Sequence, residues 1–533
     1  MPYCPESEVP RPNIVVILAD DMGFSDIGGY GSEIRTPHLD ALAARGVRFS
    51  QFYNGARCCP TRAALLTGLH PHEAGVGQMV GDLGCREYQG YLRDDGVTLA
   101  ETLRGAGYRT LMAGKWHVGG EYPVHKPEMW AALAGRPGHP TPRQRGFDRF
   151  YGTLGGGGSY FNPPTLMRDD AFVRPGGDYY LTDALAVEAA AMVREAAAGD
   201  APFFLYAAFT APHWPLHARE ADIAVYEGRY REGWDAIRAA RHERLKASGL
   251  LSHRWPISPR DPDAPPWEDD PHKEWDALRM AVCAAQVESM DRGIGRILDA
   301  VRAAGAEDNT LVFFLSDNGG CAEFLREDGK PGTWPEFYGV PTRDGRPTRV
   351  GNRVGRRPGP DDTFMSYDLP WANASNSPFR LFKSWVHEGG ISTPLIASWP
   401  AMRRAPAIAH APGHVIDLVP TCLDAAGVRA PAEFGGRAVQ PPEGESLLPV
   451  LRGRDWRRER PIFIEHQGNG AVRDGEWKLV RRHGRDWELY NIADDRTERR
   501  DRADDERGRV RAMSAAYDAW AARCGVRPWP VRG

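Results

Sequence analysis

The chain has 533 residues, with 67 lysines and arginines against 71 aspartates and glutamates, a formal net charge of −4. That balance excludes recruitment to nucleic acid or an anionic membrane by bulk charge, and no apolar run reaches the roughly 20 residues of a membrane span. Hydrophobic residues make up 42% and charged residues 26%, which is the globular range, and the length suits a large α/β unit with an appendage.

The polar, proline-rich start from Met1 to Pro12 lacks the basic and apolar segments of a signal peptide, so the expected compartment is the cytoplasm, or the periplasm if the N-terminus has been trimmed. Asn13 to Ala19 is a continuous β-branched run, the pattern of a strand buried on both faces of a parallel sheet, and it ends in Asp20-Asp21. Thr36-Pro37 opens a helix, with Thr36 as its cap. Arg48 to Tyr53 reads as a strand, and a helix begins at Pro60 and stops at Gly68. Thr98 to Arg104, Asp183 to Ala198, Ala277 to Ala304 and Val415 to Ala426 are helical patterns. Arg109 to Ala113, Phe203 to Ala208, Thr310 to Ser316 and Pro394 to Ser398 are strands. Alternating strands and helices predict α/β architecture with a large mixed, mostly parallel sheet flanked by helices.

Around 441 the texture changes to short strands, Pro461 to Glu465, Ala471 to Arg473, Trp477 to Arg481 and Trp487 to Asn491, closed by a charged helix near Asp504 to Arg523. The expected division is a catalytic domain over 1–440 and a C-terminal α+β subdomain with an antiparallel sheet over 441–533. Two long stretches, Tyr122 to Asp170 and Arg219 to Trp275, are rich in Pro, Trp and charge and are expected to wall a site as loops.

The eight cysteines show no CxxC and no repeated spacing, which argues against a zinc ribbon or a disulfide framework. Cys58 and Cys59 are adjacent, a spacing that strains a disulfide. In open α/β sheets, ligands bind beyond the carboxyl ends of the strands. Those ends carry Asp20-Asp21, Lys115-Trp116-His117, His213 and Asp317-Asn318. Carboxylates so close repel one another unless a cation lies between them, and Asp and Asn oxygens favour a hard ion, Ca²⁺ or Mg²⁺. Cys58 falls at a helix start, where free N–H groups favour an anion, and Arg62 one turn on adds a bidentate donor. A cation, a helix start and an arginine together point to an anionic ligand.

Cys58-Cys59-Pro60-Thr61-Arg62, followed by Ala-Ala-Leu-Leu-Thr-Gly, resembles the C-x-P-x-R signature of the type I, formylglycine-dependent sulfatases of the alkaline phosphatase superfamily. Gly114 to Gly119 is similar to their second signature, and Asp20-Asp21, His213, Asp317-Asn318, Lys383 before Glu388-Gly389-Gly390, and Glu488 to Asn491 follow in the family's order. The insertion carrying Gly233-Trp234-Asp235 and Ser258 to Asp261 is most similar to bacterial arylsulfatases.

The resemblance implies an alkaline-phosphatase-like sandwich and hydrolysis of sulfate monoesters to an alcohol or phenol and inorganic sulfate. It implies that Cys58 becomes formylglycine through a formylglycine-generating enzyme, while Cys59 stays a small buried residue. Asp20, Asp21, Asp317, Asn318 and residue 58 would hold one divalent cation, Ca²⁺ rather than Mg²⁺. Arg62 and Lys115 would fix the hydrated aldehyde, and Asp317 would also take the nucleophile's proton. His117 would act as base for breakdown of the sulfated hemiacetal, and His213 and Lys383 would bind sulfate and protonate the leaving alcohol. His217 and His387 compete with His213 for that role, Tyr160 is a candidate stacking surface for a substrate ring, and His466 and Asn469 are candidates for the mouth of the site. The expected partners are a small sulfate ester and the maturation enzyme, with no nucleic acid or membrane. The alternatives are a phosphodiester or phosphonate monoester hydrolase of the same superfamily and, more remotely, a non-catalytic anion-binding protein.

Overall fold

The computed structural model describes residues 11–327, 340–402 and 407–531. Its centre is an 11-stranded sheet among the described residues. In chain order the strands are β1 (Asn13–Asp20), β2 (Val47–Tyr53), β3 (Arg109–Lys115), β4 (Arg149–Thr153), β5 (Leu166–Arg168), β6 (Ala171–Phe172), β7 (Phe203–Pro212) and β8 (Thr310–Ser316). The short pair β9 (Arg349–Val350) and β10 (Thr363–Phe364) stands apart, and β11 (Ser392–Ser398), β12 (Ala407–Ala409) and β13 (Gly413–His414) complete the sheet. The order is β12-β2-β11-β8-β1-β7-β3-β4-β5-β6, with β13 beside β2. β8, β1, β7, β3 and β4 are parallel, and β11 runs antiparallel to both β2 and β8.

The apolar run of β1 divides by the period-two rule of strands. Val15, Ile17 and Ala19 face the core shared with the helices Leu181–Ala197 and Lys273–Ala303. Ile14, Val16 and Leu18 face the core shared with the helices Cys58–Thr67, Leu99–Gly105 and Leu418–Ala426. Helices therefore cover both faces of the sheet, which is why neither register of the strand needs to be polar. Pro37 opens the first helix as expected, but Thr36 does not cap it. Its Oγ1 instead accepts from the Gly28 N–H at 2.8 Å and donates to Asp40 at 3.1 Å, holding the preceding loop.

Four antiparallel strands, Ile462–His466, Asn469–Asp474, Trp477–Arg481 and Glu488–Asn491, form the C-terminal sheet, and the helix Arg507–Cys524 follows. A buried charge cluster ties this sheet to the main one. Lys478 Nζ lies 2.9 Å from Glu388 and 2.7 Å from Glu498, and Arg496 Nε lies 3.0 Å from Glu388, all with side chains 0% exposed. Replacing Lys478 with methionine keeps the bulk but strands the buried Glu498 and leaves Glu388 with Arg496 alone, so a loss of about 3–5 kcal/mol is expected in denaturant unfolding. A loss below about 1 kcal/mol would show that the pairs only offset their own desolvation.

Candidate active site

β1, β3, β7 and β8 end at one edge of the sheet. β2, antiparallel to β11, ends there too, and β11 begins there. The edge therefore collects Asp20 and Asp21 from β1, Lys115 and His117 from β3, His213 from β7, Asp317 and Asn318 from β8, Cys58 from the helix after β2, and Lys383 from the turn before β11. The aspartates, the asparagine, the cysteine, the two lysines and the two histidines named from the sequence thus lie at one edge, whereas Tyr160, His217 and His387 serve other contacts. Cys58 is the first residue of its helix, with Arg57 extended at the N-cap. Asp21, Ala56, His117 and Ser384 all hold left-handed backbone conformations, φ 62°, 63°, 53° and 78°, and strain of that kind concentrates at functional sites.

Arg62 organises the floor. Its Nε and Nη2 donate to Asp317 Oδ2 at 3.0 and 2.8 Å, and Nη1 donates to the Lys115 carbonyl at 2.9 Å. Lys115 Nζ donates to Asp20 Oδ2 at 2.6 Å, and Lys383 Nζ to Asp21 Oδ2 at 2.8 Å. Lys383 Nζ also lies 3.4 Å from His213 Nε2, whose ring is held by the Trp214 carbonyl at Nδ1. Burial drives the Asp20 carboxyl up, but Lys115, His213 and Arg62 outweigh it and hold it at about 2. Asp317 goes the other way, raised by burial and by the charge of Asp20. The Cys58 thiol is lowered by a hydrogen bond from Cys59, against burial, and by the charges of Lys115 and His117. Burial, then Lys115, lowers His117 to about 4, which leaves a neutral imidazole beside Cys58 near neutral pH.

The residues present fit a divalent cation. Asp20 Oδ1 and Asn318 Oδ1 are buried and have no hydrogen-bond partner, a costly arrangement for two oxygens unless an ion accepts them. Asp317 Oδ1 accepts from the Asp21 N–H at 3.2 Å, and Asn318 Nδ2 donates to Asp21 Oδ1 at 2.8 Å, so the four side chains form one continuous oxygen-rich group. A hard cation suits that donor set and removes the repulsion that raises Asp317. Asp20, Asp21, Arg62, Lys115, Asp317 and Asn318 are 0–1% exposed, whereas His117, His213 and Lys383 keep 5–6%.

Of the two long stretches, only the first walls the site. A Cβ built on Gly156 would lie 2.4 Å from the His117 ring, and one on Gly157 would lie 3.2 Å from His213, so the loop closes directly over both imidazoles, most tightly at Gly156. The second stretch is helical over Glu220–Ala224 and Gly233–Ala247 and irregular over 248–266. Arg241 of the longer helix is fully buried and pairs with Asp26 at 2.6 Å and Glu33 at 2.7 Å. It buttresses the loop after Asp21 rather than lining a pocket. Trp234 and Trp267 pack edge-on to one another and against Trp371, while Trp255 and Trp275 donate to the carbonyls of Ala493 and Arg356.

Tyr160 is not a surface for a substrate ring. It is 1% exposed, stacks on Tyr180, and donates its hydroxyl to the carbonyls of Thr210 and His213, both at 2.8 Å. It therefore positions His213 from behind. His217 bonds the Thr363 carbonyl at 2.5 Å, and His387 lies 3.5 Å from Glu488, so neither competes with His213. His466 is buried and feels the charges of Arg57, Cys58 and Lys383, while Asn469 serves the turn by bonding the His466 carbonyl and His483 N–H. Cys59 is fully buried, its sulfur 3.7 Å from Met79. Sequence reasoning missed Glu323, which accepts from Trp214 Nε1 at 2.9 Å and pairs with Arg57 at 3.0 Å. The signal for Arg57 was its place directly before Cys58; Glu323 sits in no motif.

The fold and site define a class, and comparison with known proteins agrees. Residues 12–428 match the sulfatase family, and residues 379–513 match the family described as N-sulphoglucosamine sulphohydrolase, C-terminal. The chain belongs to the sulfatase family and is a sulfuric ester hydrolase with the alkaline-phosphatase-like fold. It is similar to an uncharacterized sulfatase of Schizosaccharomyces pombe, 33% identical over 93% of this chain and 91% of that protein. It is 34% identical to an arylsulfatase of Klebsiella aerogenes, over 83% of this chain and 92% of that protein. Among solved structures, Ps i-CgsB superposes with a TM-score of 0.66 at 26% identity, covering 96% of this chain and 93% of that one.

Proposed function

We propose that this sulfatase works through a formylglycine made from Cys58 and through Ca²⁺ held by Asp20, Asp21, Asp317, Asn318 and residue 58. The observation that carries the reading is the pairing of a helix-start cysteine with two orphaned buried oxygens, Asp20 Oδ1 and Asn318 Oδ1, at one sheet edge. When present, the aldehyde hydrate supplies an oxygen nucleophile and a second hydroxyl for expelling sulfate, and the cation lowers the pKa of the attacking hydroxyl. Maturation falls to a formylglycine-generating enzyme acting before folding, since Cys58 is 1% exposed once folded.

The chain's own residues divide the remaining work. Arg62 and Lys115 fix the floor through Asp317 and Asp20 and carry positive charge beside residue 58. His117, neutral and within reach of residue 58, takes the proton of the second hydroxyl on its imidazole. Lys383 and His213 bind sulfate oxygens and return a proton to the oxygen of the leaving alcohol. Raised by Asp21, after burial opposes it, Lys383 stays cationic and is matched to an anion.

Turnover of 4-nitrophenyl sulfate against 4-nitrophenyl phosphate and a phosphonate monoester, under equal conditions, tests the reading; preference for either phosphorus ester overturns it. His213→Ala separates the two histidines. Loss of its proton is expected to slow alkyl sulfates by about 10²–10⁴-fold and 4-nitrophenyl sulfate far less, because nitrophenolate departs without protonation. Equal losses across the leaving groups would move the acid role to Lys383.

A further inference from the structure

A second group of chemically active side chains stands behind the nucleophile helix, and sulfate ester hydrolysis does not use it. The helix Cys58–Thr67 stops at Gly68, and the turn that follows carries His70 and Glu73. The last helix, Arg507–Cys524, ends against that turn. One ligand-type atom from each of His70, Glu73 and Cys524 lies within 4.8 Å of the other two, and all three residues are buried. Nothing in the spacing of the sequence announces the group, because its members come from opposite ends of the chain.

As protein alone the group is poorly satisfied. His70 Nδ1 is buried without a hydrogen-bond partner, and burial followed by the neighbouring His414 keeps the ring neutral, with a lone pair to offer. Burial and Glu443 raise the Glu73 carboxyl, and burial and Glu73 raise the Cys524 thiol. Cys524 also closes the C-terminal turn of its helix, where the carbonyl dipoles favour a cation. The cation present is Arg523, whose Nη1 lies 2.7 Å from Glu73 Oε1 and 2.8 Å from Glu443, with its side chain half exposed. It serves one carboxylate oxygen; Glu73 Oε2 accepts from the His70 N–H at 3.2 Å and the carboxylate also partners the Cys524 thiol, so the imidazole Nδ1 is the atom left unanswered.

We propose that His70, Glu73 and Cys524 form a three-ligand zinc site that clips the C-terminal helix to the turn behind the nucleophile helix. Imidazole nitrogen, carboxylate oxygen and thiolate sulfur are the ligands of Zn²⁺, and a water fills the fourth tetrahedral position. Binding is a ligand exchange: the Cys524 S–H proton passes to solvent as the Zn–S bond forms, and no electrons are transferred. The site is distinct from the oxygen-rich cation group at the sheet edge, whose donors suit a harder ion.

The test uses the full-length chain carrying Cys58→Ala, because Cys58, Cys59 and His117 also bring two thiols and an imidazole within reach of one another. After chelator stripping, zinc is titrated against a chromophoric competitor in this protein and in the same protein with Cys524→Ser or Glu73→Gln. Beyond any zinc that all three proteins take up alike at the sheet edge, one equivalent per chain is expected in the parent, bound about 100-fold or more weakly after Cys524→Ser and about 10-fold or more weakly after Glu73→Gln. Co²⁺ in place of zinc should give a thiolate-to-metal absorption that Cys524→Ser abolishes. Zinc uptake that is equal in the three proteins, or absent from the parent, would reduce the group to a buried thiol bonded to a carboxylate and overturn the proposal. Should Cys524→Ser fail to fold, Glu73→Gln decides the question alone.

Discussion

Cys58→Ser enzyme is expected to turn over once and stop. Serine keeps an oxygen nucleophile at the start of the helix, next to Lys115, His117 and the Asp20 group, so the alcohol of a sulfate ester can still be displaced. It lacks a second hydroxyl on the same carbon. His117 then has no proton to take, and the sulfate can leave only by attack of water. Steady-state turnover should fall by about 10³–10⁶-fold, the range for removing a nucleophile that acts as part of a unit. Burst kinetics with 4-nitrophenyl sulfate should show close to one nitrophenol per chain, and intact mass should show one sulfate retained on the peptide carrying residue 58. Repeated turnover with no sulfate retained on the protein would mean that the second hydroxyl has no part in releasing sulfate.

Asp317→Ala should be nearly as damaging, for two reasons. The carboxylate is a member of the cation group, and removing it takes one anionic ligand from a site of few side chains. It also accepts both bonds from Arg62, at 3.0 and 2.8 Å, and one from the Asp21 N–H. Without it, Arg62 is a fully buried cation whose nearest carboxylate is Asp20 at 3.5 Å. The expected results are loss of the bound divalent ion by elemental analysis, a rate loss on the order of 10³-fold or more, and a stability loss of about 3–5 kcal/mol with unfolding still cooperative. Unchanged metal content would remove Asp317 from the ligand set.

The site was legible in the sequence because its chemistry sits at strand ends. A continuous β-branched run such as Asn13 to Ala19 has one physical explanation, burial on both faces, and a pair of aspartates straight after it has few. Direction was not legible: the composition of β11 is that of its parallel neighbours, and only the register with β8 shows that it runs the other way. Long-range pairing was equally silent. Glu323 meets Arg57, and Tyr160 holds His213, across separations that no local period records. The stretch from Arg219 to Trp275 misled through composition, since tryptophan and proline read as loop while Gly233–Ala247 carries the helical spacing that buries Arg241.

The most direct measurement of the central claim is peptide mass spectrometry of enzyme whose sulfatase activity has been established in the same sample. The account predicts that the peptide spanning Gly55 to Gly68 carries an aldehyde at residue 58, lighter than the thiol by one sulfur and two hydrogens less one oxygen, with Cys59 unmodified and the modified fraction tracking specific activity. Fully active enzyme with an intact thiol at Cys58, or with the aldehyde at Cys59, would contradict it.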